Sequence, residues 1–188
     1  AAVLFSLRVL VDRPIPLNEG ALRRVSIDAP SPSIESPPPG AAVCGGNVET
    51  SQRLVDLFLS AAGHRAPSQG TMNNVTVGGD RDVEGASGVA WSLYETIGGG
   101  QGASPLGPGV SARQVHMTNT RATDPEVLEA RLPVRLVTFA RRRGSGGDGL
   151  YSGGDGVVRE LEVCEPATAA LLATARHAGR PGIQGGET

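Results

Sequence analysis

The residues best suited to chemistry lie between Tyr94 and Arg121. Glu95 precedes Thr96-Ile97-Gly98-Gly99-Gly100-Gln101-Gly102, and His116, Thr118, Asn119 and Arg121 follow in one short stretch. A carboxylate and an imidazole can pass protons, an amide and a guanidinium can hold a polar ligand, and glycine lets backbone N–H groups come close to a reacting oxygen. Glu95, His116 and Asn119 are the catalytic candidates, and Gly98, Gly99, Gly100, Thr118 and Arg121 the binding candidates. Upstream, Gln69, Asn73 and Asn74 form an amide cluster able to hold a polar ligand. If residues 115–120 are extended, His116, Thr118 and Thr120 share one face and Met117 and Asn119 the other, so a common pocket requires a bend near Thr118 or a place at the rim. A plainer reading also stands, in which the glycine run is a tight connection, the histidine a hydrogen-bonded structural residue and the asparagines turn formers.

These groups must be positioned by a chain of 188 residues, enough for one domain with a core of its own. Hydrophobic residues at 39%, with 27 glycines and 14 prolines, predict a loop-rich but ordered domain. A net charge of −2 gives no electrostatic case for nucleic acid or an anionic membrane, and Arg141-Arg142-Arg143 reads as a solvated turn. All 17 basic residues are arginine, which excludes a phosphate-loop lysine, a Schiff base and a lysine general base. Cys44 and Cys164 are too few and too far apart for a zinc knuckle or a redox pair, no metal ligand set is expected, and a reducing compartment fits best. The first ten residues are apolar but interrupted by Arg8, too short to span a bilayer, and read as though cut from inside a longer chain.

The positioning elements follow from pattern. Residues 1–11 alternate poorly and fit a buried helix or a strand, with the end of a helix favoured, and residues 22–28 alternate well enough for a short strand. The prolines between Pro30 and Pro39 make an extended surface connection. The clearest helix begins after Gly46, its broad stripe made by Val48, Leu54, Val55, Leu57, Phe58 and Leu59, with Asn47 or Thr50 as its cap and Gly63 at its end. A β-branched strand lies around Val75 and Val77, a charged surface excursion covers residues 79–88, and Asp124-Pro125-Glu126 opens a short helix closed by Pro133. Two strands, residues 134–139 and 157–163, flank the glycine-rich segment 144–156 as a hairpin with a wide loop. The fold class predicted is α+β, a β-rich and loop-rich single domain with one clear amphipathic helix.

Several of these stretches carry a resemblance. Gly45-Gly46-Asn47-Val48-Glu49-Thr50-Ser51-Gln52-Arg53, Ser68-Gln69-Gly70-Thr71-Met72-Asn73-Asn74, Tyr94-Glu95-Thr96-Ile97-Gly98-Gly99-Gly100 and His116-Met117-Thr118-Asn119-Thr120-Arg121 resemble, in order, the C-terminal half of the hydantoinase B/5-oxoprolinase family. Arg143-Gly144-Ser145-Gly146-Gly147 and Gly153-Gly154-Asp155-Gly156-Val157 extend the likeness over nearly the whole chain, and Thr123-Asp124-Pro125-Glu126-Val127-Leu128-Glu129 is most similar to the fused 5-oxoprolinases. The resemblance implies that residues 1–188 are the C-terminal portion of a larger catalytic region that opens 5-oxo-L-proline to L-glutamate, a step of glutathione metabolism. It further implies ATP bound by an actin-like ATPase domain absent from this chain, a divalent metal held by an absent upstream half, a small-molecule substrate, a homo-oligomeric intact enzyme and a cytoplasmic location. In that reaction the amides of residues 98–100 would face the developing oxyanion or acyl phosphate, with Glu95, His116 and Asn119 in the same pocket. The chain departs from the family in an expanded segment 79–89 and in residues 167–175, where alanines favour helix but relatives look like a strand; the strand is the expectation. A hydantoinase B or acetone carboxylase-type subunit, or a non-catalytic remnant of the fold, is the alternative.

Overall fold

The computed structural model describes residues 1–174 and 181–186. Along the chain run α1 (Ala2–Leu10), α2 (Ser51–Ala61), β1 (Asn74–Gly79), β2 (Trp91–Thr96), α3 (Pro125–Arg131), β3 (Val134–Arg141), β4 (Val157–Val163) and β5 (Thr168–Leu172). The strands make two antiparallel sheets, one of order β2-β1-β5 and one formed by β3 and β4. The architecture is α+β, and among the described residues no helix is long and apolar enough to cross a membrane.

The first core forms where α1 packs on α2. Val55 and Leu59, one helical turn apart, close on Ala2, with Phe5, Leu54 and Met117 around them. Gln52 and Asp56 lie on the same inward face of α2, while Leu57 is 59% exposed, so the apolar stripe is narrower than its sequence suggests. Leu59→Ala is expected to destabilise the protein by roughly 2–5 kcal/mol, as large-to-small core changes do, whereas Leu57→Ala should leave the thermal midpoint almost unmoved. Equal effects of the two would place the buried face elsewhere. At its end α2 closes through paired reverse bonds, His64 N–H to Leu59 O at 2.9 Å and Gly63 N–H to Ser60 O at 2.9 Å, with Gly63 at φ +64° as that turn requires. The start differs from expectation, because neither Asn47 nor Thr50 caps with its side chain. A π turn over Gly46–Thr50 leads in, and Gly45 at φ +72° takes up the change of direction.

The second core gathers Leu93 of β2, Leu128 of α3 and Val134 of β3, with Trp91, Leu132 and Leu161 against it. Asp124 caps α3 by accepting from the Glu126 N–H at 3.0 Å, and Pro125 occupies the first helical position, as the sequence indicates. β3 and β4 pair from Val134↔Val163 to Arg141↔Val157 across the wide glycine loop. β5 is a strand despite its alanines, since pairing with β1 supplies backbone partners that helix propensity cannot outweigh; residue 175 of that expectation lies outside the described residues.

Two expectations fail. Residues 22–28 form no strand: a 3-10 turn ends at Leu22 and an irregular, largely exposed run follows, because a strand without a neighbour to pair with has nothing to hold it. Residues 115–120 are not extended either. His116 sits at φ +55° in a turn closed by the Thr118 N–H to Val115 O at 3.2 Å, which takes the imidazole out of the alternation an extended chain would impose.

Candidate active site

A groove of about 940 Å³ runs between the Gly98–Gly100 loop, the Ser68–Gln69 turn and the wide β3–β4 loop, with Glu95 and Arg159 in its wall. The loops are laced together by their backbones. Gln69 N–H donates to Gly100 O at 2.9 Å, Gly154 N–H to Gln101 O at 2.9 Å, and Gly99 exchanges bonds with Arg113 at 3.2 and 2.7 Å. A side chain on Gly100 would collide with the Gly154 carbonyl, and one on Gly102 with the Ala66 carbonyl. The glycine run is therefore built first for backbone to lie on backbone, and the Gly99 N–H is already engaged by Arg113.

Asp155 holds the far loop. Its Oδ1 accepts from Ser145 N–H at 2.9 Å and Gly146 N–H at 3.0 Å, and its Oδ2 from Arg141 Nε at 2.7 Å. The Gly146 amide is the chief cause that draws the Asp155 carboxyl below its usual range; burial opposes it, and Arg141, Ser145 and Gly144 add to the lowering. Because the folded form holds the ionised group better than the unfolded chain does, this contribution is complete above about pH 4 and is lost as pH falls through the lowered value. Asp155→Asn should remove that part of the acid dependence and speed exchange of the Ser145 and Gly146 amides. An unchanged acid profile would contradict it.

Alternation along β2 turns Leu93 and Glu95 inward, and alternation along β4 turns Arg159 inward between Val157 and Leu161. The two charged side chains meet: Arg159 Nε donates to Glu95 Oε2 at 2.6 Å and Nη2 to Oε1 at 2.9 Å, with side chains 4% and 5% exposed. Thr123 N–H adds a third bond to Oε1 at 3.2 Å, and the Arg159 guanidinium stacks 5.0 Å from the Phe139 ring.

His116 stands elsewhere. Its Nε2 lies 2.7 Å from Asp56 Oδ1, both side chains are buried, and Phe5 approaches its ring edge-on. Asp56 also accepts from Ser68, by N–H at 2.9 Å and by Oγ at 3.2 Å. Among the described residues His116 connects to the groove wall through Asp56 and Ser68, and the single pocket expected for Glu95, His116 and Asn119 is not what the turn at His116 produces. Asn119 and Arg121 are exposed and line no part of the groove. Thr118 is buried with its hydroxyl on Met72 Sδ at 3.0 Å, and Asn74 is buried outside the groove. Gln69 and Asn73 do line it; Gln69 Nε2 bridges Thr71 O at 3.1 Å and Ile97 O at 3.3 Å.

The sequence has counterparts among known proteins. The family model described as hydantoinase B/oxoprolinase matches residues 1–188. The chain belongs to that family. It is 49% identical over 187 residues to 5-oxoprolinase 1 of Arabidopsis thaliana and 47% identical over 187 residues to 5-oxoprolinase of Dictyostelium discoideum, matching 100% of this chain and 14% of each relative. An uncharacterised protein of Methanocaldococcus jannaschii is 36% identical over 179 residues, 92% of this chain and 30% of that protein. This oxoprolinase-family chain thus spans about 14% of the length of the 5-oxoprolinases it matches.

Among the described residues no three His, Cys, Asp or Glu side chains group to hold a metal, and the chain has no lysine for a phosphate loop. Two groups at the site escape a motif reading, and Ser68, although it opens a motif, is not singled out as a site residue. Asp56 is missed, although a carboxylate four residues after Gln52 on the inner face of an amphipathic helix is a legible signal. Arg159 is missed too, and its signal is a cation alternating with Val157 and Leu161 at inward positions.

Proposed function

We propose that this hydantoinase B/oxoprolinase chain forms a wall of the substrate site in a cyclic-amide hydrolase that opens 5-oxo-L-proline to L-glutamate with ATP hydrolysis. The reading carries over the activity named for relatives that are 47% and 49% identical across 100% of the chain. The observation that carries it here is the groove, large enough for a small cyclic amide and walled by rigid glycine backbone beside a buried charged pair. In this proposal Gln69, Asn73 and Gly98–Gly100 shape the groove, Glu95 acts with Arg159, and His116 bears on the wall through Asp56 and Ser68. Asn74, Thr118, Asn119 and Arg121 have no place in it. ATP, and any divalent metal, belong to an actin-like ATPase domain and an upstream half outside these residues, in a cytoplasmic homo-oligomer.

The test is ADP release with 5-oxo-L-proline as substrate. The chain joined to the remaining regions of a 5-oxoprolinase-length protein should turn over, and residues 1–188 alone should not. Substrate-stimulated ATP turnover by the chain alone would overturn the division of labour, and turnover of a hydantoin without 5-oxo-L-proline would favour the hydantoinase reading.

A further inference from the structure

The Glu95–Arg159 pair leaves part of the guanidinium unused. Nε and Nη2 present one edge of the planar fork to the carboxylate, so Nη1 projects away from Glu95. Nη1 is buried and has no hydrogen-bond partner among the described residues, although every other donor position of a buried arginine is normally filled. Both members of the pair line the groove.

The charge balance decides which acceptor suits that donor. Glu95 already neutralises Arg159, so a second carboxylate brought to Nη1 would leave net negative charge in a buried setting, which is unfavourable without a further cation. A neutral carbonyl oxygen completes the guanidinium without that penalty. Negative charge that develops on the same oxygen as an amide is attacked is then met by a charged donor fixed in advance, which favours the transition state over the ground state. The Gly99 N–H cannot fill this role, since Arg113 O engages it at 3.2 Å.

We propose that Arg159 Nη1 donates a hydrogen bond to the ring carbonyl oxygen of a cyclic amide bound in the groove, with Glu95 as the positioning residue that fixes the guanidinium. This rests on the reading of the groove as the site of a cyclic-amide hydrolase. It makes Arg159 a catalytic residue and gives Glu95 the task of orientation.

The experiment uses the intact protein that carries this chain and 5-oxo-L-proline labelled with ¹³C at the ring carbonyl or at the carboxylate. The expected result is a downfield shift of the bound ring-carbonyl resonance, with the carboxylate resonance independent of Arg159. In Arg159→Lys the ring-carbonyl shift should disappear and kcat fall by roughly 10²–10³-fold, with KM changed far less. Glu95→Gln should reduce the shift in part, a change that loss of stability alone would not produce. A carboxylate resonance that moves and depends on Arg159 overturns the proposal, as does a ring-carbonyl shift that survives in Arg159→Lys; both leave the groove as the substrate site. No bound ligand at all overturns the groove reading together with the proposal. If Arg159→Lys fails to fold, the unsubstituted protein still decides, because only one of the two labelled carbons should shift.

Discussion

Gly154→Ala is expected to abolish stable folding. An added Cβ would run into the carbonyl of Val110 and lie within 2.9 Å of the Ser111 nitrogen, so the obstruction is backbone and has no rotamer to escape through. Gly100→Ala is a second case of the same kind, because its Cβ would strike the Gly154 carbonyl. Overpacking usually costs about 1–3 kcal/mol where side chains can shift, and here two loops would have to separate, so a loss of at least 3 kcal/mol is expected from either change. A total stability of roughly 5–15 kcal/mol leaves little after that. Gly46→Ala is the control, since nothing lies within 4 Å of a Cβ at that position. It should stay within about 0.5 kcal/mol of the parent, as changes clear of such features do. Denaturant midpoints for the three variants check this, and a parent-like midpoint for Gly154→Ala would mean that the groove walls are not packed backbone on backbone.

Glu95→Gln is expected to destabilise the protein by about 3–5 kcal/mol, because it strands the Arg159 cation in a buried position. As the catalytic candidate named from the sequence, Glu95 would affect turnover, and the ion pair adds this loss of stability. Arg159→Met strands the carboxylate instead and should cost a similar amount. The double variant Glu95→Leu/Arg159→Met removes both charges and should recover much of the loss, because paired apolar residues of similar bulk often match or exceed a buried ion pair. With Glu95→Leu added as the matching single variant, chemical unfolding of the parent, Glu95→Leu, Arg159→Met and the double variant forms a complete cycle. Single variants that unfold at the parental midpoint would show that the pair is solvated and carries no structural weight.

Much of the local structure was legible. The end of α2, the α3 boundaries, the β3–β4 hairpin and the cap at Asp124 depend on periodicity and on residues with one preferred backbone role, such as Pro125 and Gly63. The strand expected at residues 22–28 was not formed, because alternation signals a strand only when a partner is within reach, and the sequence does not say whether one is.

The candidate site divides along the same line. The sequence by itself determined which chemical groups are present, excluded lysine chemistry, and placed Glu95 beside a glycine run that lines the groove. The tertiary structure alone decided what those groups touch. It brought Arg159 to Glu95 across 64 positions, tied His116 to Asp56 across 60, and turned the chain at His116 so that the imidazole faces α1 and α2. Periodicity acts over a few residues, whereas the partner of a buried charge is chosen by which elements pack together, and that choice is made by the whole core at once.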